Sequence, residues 1–153
     1  MVKRSLNYMY RILLGCLFSI SVIFGACAID NPDAPDLFGE FEKREMVYLM
    51  AIDDPKNKTR DFLVAYNNYL LFLDKELNKA FSHIKLKLPN ARKSDLITAQ
   101  LAWLKYRDAE FKLIQSTWTR EYFGSSAGIS RGDYRTRIVK ERIVQLLHYA
   151  KNL

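Results

Sequence analysis

Two polar side chains interrupt an otherwise apolar helical stripe. At about 100° per residue, Leu96, Gln100, Trp103, Arg107, Phe111, Ile114 and Trp118 share one side of a helix. Gln100 and Arg107 therefore face the same way as large apolar neighbours. A guanidinium so placed is costly unless it is paired and hydrogen-bonded. Glu110, at i+3, supplies one partner, and carboxylates or free carbonyls of a neighbouring helix should supply the others. Two roles fit these residues: Arg107 as a clamp for a ligand, or Gln100, Trp103, Arg107 and Glu110 as an internal polar lock between helices. The lock is favoured, because nothing around it supplies reaction chemistry. His83 and His148 lie on separate helices without metal-ligand spacing, and there is no nucleophile motif or phosphate-binding glycine pattern. No catalytic residue, metal or cofactor is assigned, and an enzyme is not expected.

The elements that must position this stripe are helical throughout. Phe62, Tyr66, Tyr69, Leu70, Leu73, Leu77, Ala80, Phe81 and Ile84 form a stripe at 3.6-residue spacing over about 59–86. Phe72 and Leu71 fall outside it and predict a second covered face. Pro89 ends that helix, and Ser94 is the expected N-cap of the next, which should run to about Phe123. Gly124 to Gly128 reads as a small-residue loop. A last helix is expected from about Gly132 to Lys151, with Tyr134, Ile138, Val139, Leu146 and Tyr149 or Ala150 inward. A shorter helix over about 36–51, ended by Asp53-Asp54-Pro55, completes the set. Strand-like alternation is absent. The expectation is all-α, an antiparallel bundle of three long helices plus a shorter N-terminal one.

Residues 1–28 read as a signal segment: Lys3, Arg4 and Arg11 precede an apolar run from Ile12, and Gly25-Ala26-Cys27-Ala28 follows. Ala26-Cys27-Ala28 fits an A-x-A cut, whereas Phe24-Gly25-Ala26-Cys27 resembles a lipobox that would lipidate Cys27. An uncleaved anchor is the third option, at the short limit for a spanning helix. Residues 29–35 form a flexible lead-in, and 36–153 a single helical domain. The expected location is outside the cytosol, periplasmic or secreted, with a membrane-anchored lipoprotein as the alternative. An A-x-A cut removes both cysteines, so packing must supply the stability that disulfides give many small exported domains.

Three of the 24 Lys+Arg and none of the 17 Asp+Glu lie in the signal segment, leaving 21 − 17 = +4. Residues 29–45 hold six acids against Lys43 and Arg44, so the remainder carries +8. In an exported chain such a surplus reads first as a solvated basic surface, with anionic envelope polymers rather than nucleic acid as candidate partners.

Leu77-Asn-Lys-Ala-Phe81, then Leu96, then Gln100-x-x-Trp103-x-x-Tyr106-Arg107-Asp108 resemble the LprI-type lysozyme-inhibitor family over about residues 70–147. Gly124-Ser-Ser fits the loop of that pattern and Arg142 its final arginine. Phe111 and Tyr134 stand where the pattern has cysteines, so the resemblance implies that these two side chains touch in place of a disulfide. Phe81 replaces a tyrosine and Val139 a threonine. The resemblance also implies binding of lysozyme or another peptidoglycan hydrolase. Lysozyme works through two carboxylates that flank the scissile bond, and a loop bearing hydroxyls and a cation could hydrogen-bond both. Ser125, Ser126 and Arg131 are the candidates, with Arg131 expected to be free of structural duty. The same segment also reads as a plain inter-helix connection with glycine at the helix C-cap. Two other roles stay open: a periplasmic immunity protein against a wall-degrading toxin, and a structural factor binding anionic wall or lipid polymers.

Overall fold

Asp36 opens the first helix by accepting the Gly39 N–H at 2.9 Å, which satisfies one of the donors left free at a helix start. That helix, α1, spans Leu37–Ile52. Its end is clasped by Asn57, whose side-chain amide donates to Ala51 O at 2.8 Å and Ile52 O at 3.1 Å. Within the intervening turn, Asp54 Oδ1 accepts from the Lys56 N–H at 2.9 Å. Asp61 accepts from the Lys58 N–H and starts α2, Thr59–Lys87. Pro89 then stops α2 and immediately caps α3, Asn90–Thr117. The expected N-cap at Ser94 is thus five residues late: proline ends one helix and is well tolerated at the head of the next. A single-turn α4, Arg120–Phe123, and a 3-10 turn, Gly124–Ser126, lead into α5, Ala127–Lys151.

This computed structural model describes residues 35–153. The signal segment, Cys27 and nearly all of the lead-in lie outside the described residues. Among those described, no strand occurs and no helix is long and apolar enough to cross a membrane. The architecture is an all-α bundle of three long helices and a shorter N-terminal one.

Pairwise contacts fix the directions. Arg44 meets Glu76 while Tyr48 stacks on Phe72 at 4.4 Å, and Glu45 meets Tyr69, so α1 and α2 run antiparallel. Gly128 faces Leu63 and Gly132 faces Tyr66, so α2 and α5 run parallel. These two share the most extensive helix–helix contact in the bundle. Their seam holds Leu73, Leu77, Ile84, Val139, Ile143 and Leu146, all nearly or completely buried. Phe72, off the main stripe of α2, is covered by Tyr48 and Phe41 of α1. Leu71 is not covered and stays exposed.

The glycines of the expected loop have a different role. Gly128 and Gly132 are helical, and α5 begins five residues before its expected start. A Cβ built on Gly132 would sit 2.6 Å from Tyr66 Cβ and Cγ, and one on Gly128 would sit 2.5 Å from Leu63 Cδ2. Hydrogen in place of a methyl lets α5 lie against α2, so these glycines permit packing rather than break the helix.

Where α1, α2 and α5 meet, Glu45 is 2% exposed. It accepts a short hydrogen bond from Tyr69 Oη and pairs with Lys140 Nζ at 2.8 Å. Burial, followed by the bond to Glu45, pushes the Tyr69 phenol well above its ordinary range. One buried carboxylate therefore ties three helices, and its two partners satisfy it.

Gly132→Ala should destabilise the protein by about 1–3 kcal/mol through overpacking against Tyr66, although alanine is the better helix former by about 1 kcal/mol. Urea unfolding checks this, and a gain in stability would show that the two helices have room to part.

Candidate functional site

The stripe on α3 packs as its spacing predicts: Leu96, Gln100 and Ile114 are buried, and Trp103, Arg107, Phe111 and Trp118 are half-buried. What it packs against is a row of arginines on α5. Arg142 lies over Trp103 at 5.9 Å and donates from Nε to Gln100 Oε1 at 3.1 Å. Arg135 lies over Phe111 at 5.3 Å and reaches Gln115 Oε1 at 2.9 Å. Arg131 donates from Nη1 to the Trp118 carbonyl at 2.7 Å. The order 103, 111, 118 against 142, 135, 131 makes α3 and α5 antiparallel. Each contact joins a cation to an aromatic face or to a free carbonyl, the geometry in which a guanidinium is best desolvated. Burial lowers the pKa of both Arg135 and Arg142, and neighbouring Arg131 adds to the effect on Arg135.

The polar lock is therefore composed differently from the expectation. Gln100 and Trp103 take part, but their partner is Arg142 of α5. Arg107 lies at the edge, where it pairs with adjacent Asp108 through Nε at 3.0 Å and Nη2 at 2.8 Å. It is flanked by Trp103 and Phe111 at 5.7 and 5.8 Å. Glu110 makes no bond to it among the described residues. The guanidinium keeps enough contact with water for a surface carboxylate to neutralise it. A second carboxylate, Asp74 of α2, faces Arg107 across a groove of about 450 Å³ that Leu77, Asn78, Phe81 and Gln100 also line.

Among the described residues Phe111 and Tyr134, expected to touch, make no ring–ring contact with each other. Tyr134 packs on Trp118, with centroids 4.2 Å apart, and Arg135 occupies the face of Phe111. The arginine row and the ring row mesh one residue away from the register that a Phe111–Tyr134 contact requires.

The expected loop from 124 to 132 is shorter and more rigid than its composition implies. Only Gly124–Ser126 stands outside α-helix, and Gly124 adopts a φ of 56° that favours glycine. Ser126 Oγ donates to Phe123 O at 2.7 Å, and the Phe123 N–H donates to Thr119 O at 3.0 Å. Arg131, expected to be free, instead caps the C-terminal end of α3. Residues 120–126 all face solvent, the Glu121 carboxylate included, with Tyr122 78% exposed and the Ser126 hydroxyl already engaged by Phe123 O. Tyr122 and Arg120 escaped the expectation because they were placed inside a long helix; the break at Trp118–Thr119 has no glycine or proline to announce it. Arg142 was legible from its position between inward-facing Val139 and Leu146, but its acceptor, 42 residues away on another helix, was not.

Among the described residues no cluster of His, Cys, Asp or Glu could hold a metal ion. His83 Nε2 is buried without a hydrogen-bond partner.

The Gln100–Arg142 bond should outweigh the Arg107–Asp108 pair. Gln100→Leu should cost about 1–3 kcal/mol by leaving a buried charged donor unmet, against under about 1 kcal/mol for the largely surface ion pair lost in Arg107→Ala. Chemical denaturation of both variants checks the order, and the reverse order would return Arg107 to the centre of the lock.

No curated protein and no solved structure matches the chain. The family model described as lysozyme inhibitor LprI matches residues 53–146, more than half of the chain, and the chain belongs to that family.

Proposed function

We propose that this LprI-family protein is an exported inhibitor of lysozyme or a related peptidoglycan hydrolase, acting through the turn at residues 120–126. Family membership is the observation that carries the reading, and the geometry of the turn supports the choice of contact. A hydrolase with two carboxylates about a scissile bond is blocked by donors that reach both. Arg120, the Tyr122 phenol and the Ser125 hydroxyl are donors on one short exposed segment, and they replace Ser126 and Arg131, which are engaged within the fold. Tyrosine and arginine dominate the energetics of many protein interfaces. The bonds that hold Trp118, Phe123 and Ser126 fix the turn before it meets a partner, which lowers the ordering cost of binding.

A second reading rests on charge. The +8 carried after residue 45 suits anionic wall polymers better than it suits strongly basic animal lysozymes, which it would repel at long range. Under this reading, binding to isolated cell walls weakens steeply with salt and no enzyme is inhibited.

Protein purified from cells expressing the chain, titrated into animal-type lysozyme acting on bacterial walls, should inhibit saturably near an equimolar ratio. Tyr122→Ala should weaken inhibition by about 10-fold or more and leave thermal unfolding unchanged, since the ring is exposed. Absence of inhibition at large excess would reject lysozyme as the target. Full inhibition by Tyr122→Ala would remove the turn from the contact.

A further inference from the structure

Beyond the turn, the opposite end of α3 holds a second unassigned feature. Where the ends of α2 and α5 meet the start of α3, an open groove of about 470 Å³ is lined by Ile84, Leu88, Leu96, Ala99, Tyr149 and Leu153. That volume falls within the range of small-molecule sites. Arg142 also lines the groove, and it is 8% exposed. Its Nε and Nη1 are engaged by Gln100 and by Gln145, at 3.1 and 2.5 Å. Both partners are neutral amides, and among the described residues no carboxylate lies within ion-pair distance of the guanidinium. Its Nη2 takes part in no hydrogen bond among those residues. Arg92 and Asp95, both exposed, also line the groove and offset one another one turn apart on α3. Among the described residues the buried guanidinium thus faces the groove without a carboxylate at ion-pair distance.

An apolar groove with one buried cation selects a ligand with one anionic end and an apolar remainder. A peptide fits poorly, since its backbone amides would be desolvated against Ile84, Leu88 and Leu96 with nothing to bond. A phosphodiester headgroup carries further polar groups that this lining does not meet.

We propose that this groove binds a free fatty acid, its carboxylate paired with Arg142 Nη2 and its alkyl chain laid against Ile84, Leu88, Leu96 and Ala99. A carboxylate gives the guanidinium the counter-charge that Gln100 and Gln145 lack. The site is independent of the turn at 120–126.

Calorimetric titration of protein purified from cells expressing the full chain, with decanoate and with decanol, tests this. Decanoate should bind once per chain and about 10-fold or more tighter than the alcohol, the gain expected of a hydrogen bond to a charged group. Ala99→Trp, which fills the groove from an exposed position, should abolish binding, and Arg142→Gln should reduce decanoate to the level of the alcohol. If Arg142→Gln fails to fold, Ala99→Trp decides. Equal affinity for acid and alcohol, binding unaffected by Ala99→Trp, or association only with anionic phospholipid vesicles would each overturn the proposal.

Discussion

A guanidinium taken out of water has to be met by something, and the way α5 meets that demand holds α3 in place. Leu96, Gln100 and Ile114 of this 28-residue helix are buried, and Trp103 and Phe111 pack partly buried against the core. Arg142, Arg135 and Arg131 supply the rest, each by a ring face, an amide oxygen or a carbonyl of α3 or its end. Leaving a buried charged donor unmet from one side costs about 1–3 kcal/mol. The row therefore fixes register as well as proximity: a slide of α3 along α5 would strand three cations at once.

The same row sets where the turn at 120–126 projects. Arg131 grips the last carbonyl before the turn, and Tyr134 stacks on Trp118 just ahead of it, so the exposed Tyr122 is carried on anchored flanks. Behind the row, α5 is held by the close approach of Gly128 and Gly132 to α2 and by the Glu45 network reaching α1. Among the described residues there is no cysteine. Arginine–aromatic contacts hold the seam between α3 and α5.

The helices were legible because their stripes are long. Phe62 to Ile84 and Leu96 to Trp118 repeat at the helical period for several turns, which local composition cannot imitate. Partner identity was not legible. Arg107 and Arg142 are both arginines on apolar stripes, and only the meshing of α3 with α5 decides which is buried. Glu45 stood in a run of acids, and Lys140 and Tyr69, which neutralise and bond it, are distant in the chain. The glycines misled for a physical reason: a residue that loosens a turn and a residue that lets two helices touch are the same residue. The site suffered most from this, since reading 124–132 as loop assigned freedom to Arg131 and concealed Tyr122.

The turn between α3 and α5, held by the arginine row, is the surface we propose meets the hydrolase. Amide shift mapping during titration with lysozyme tests it most directly. Perturbation should concentrate in residues 118–131, with the core of α2 and α5 unmoved. Perturbation centred on the α2–α3 groove around Asp74, Asn78 and Arg107, with 120–126 silent, would contradict it.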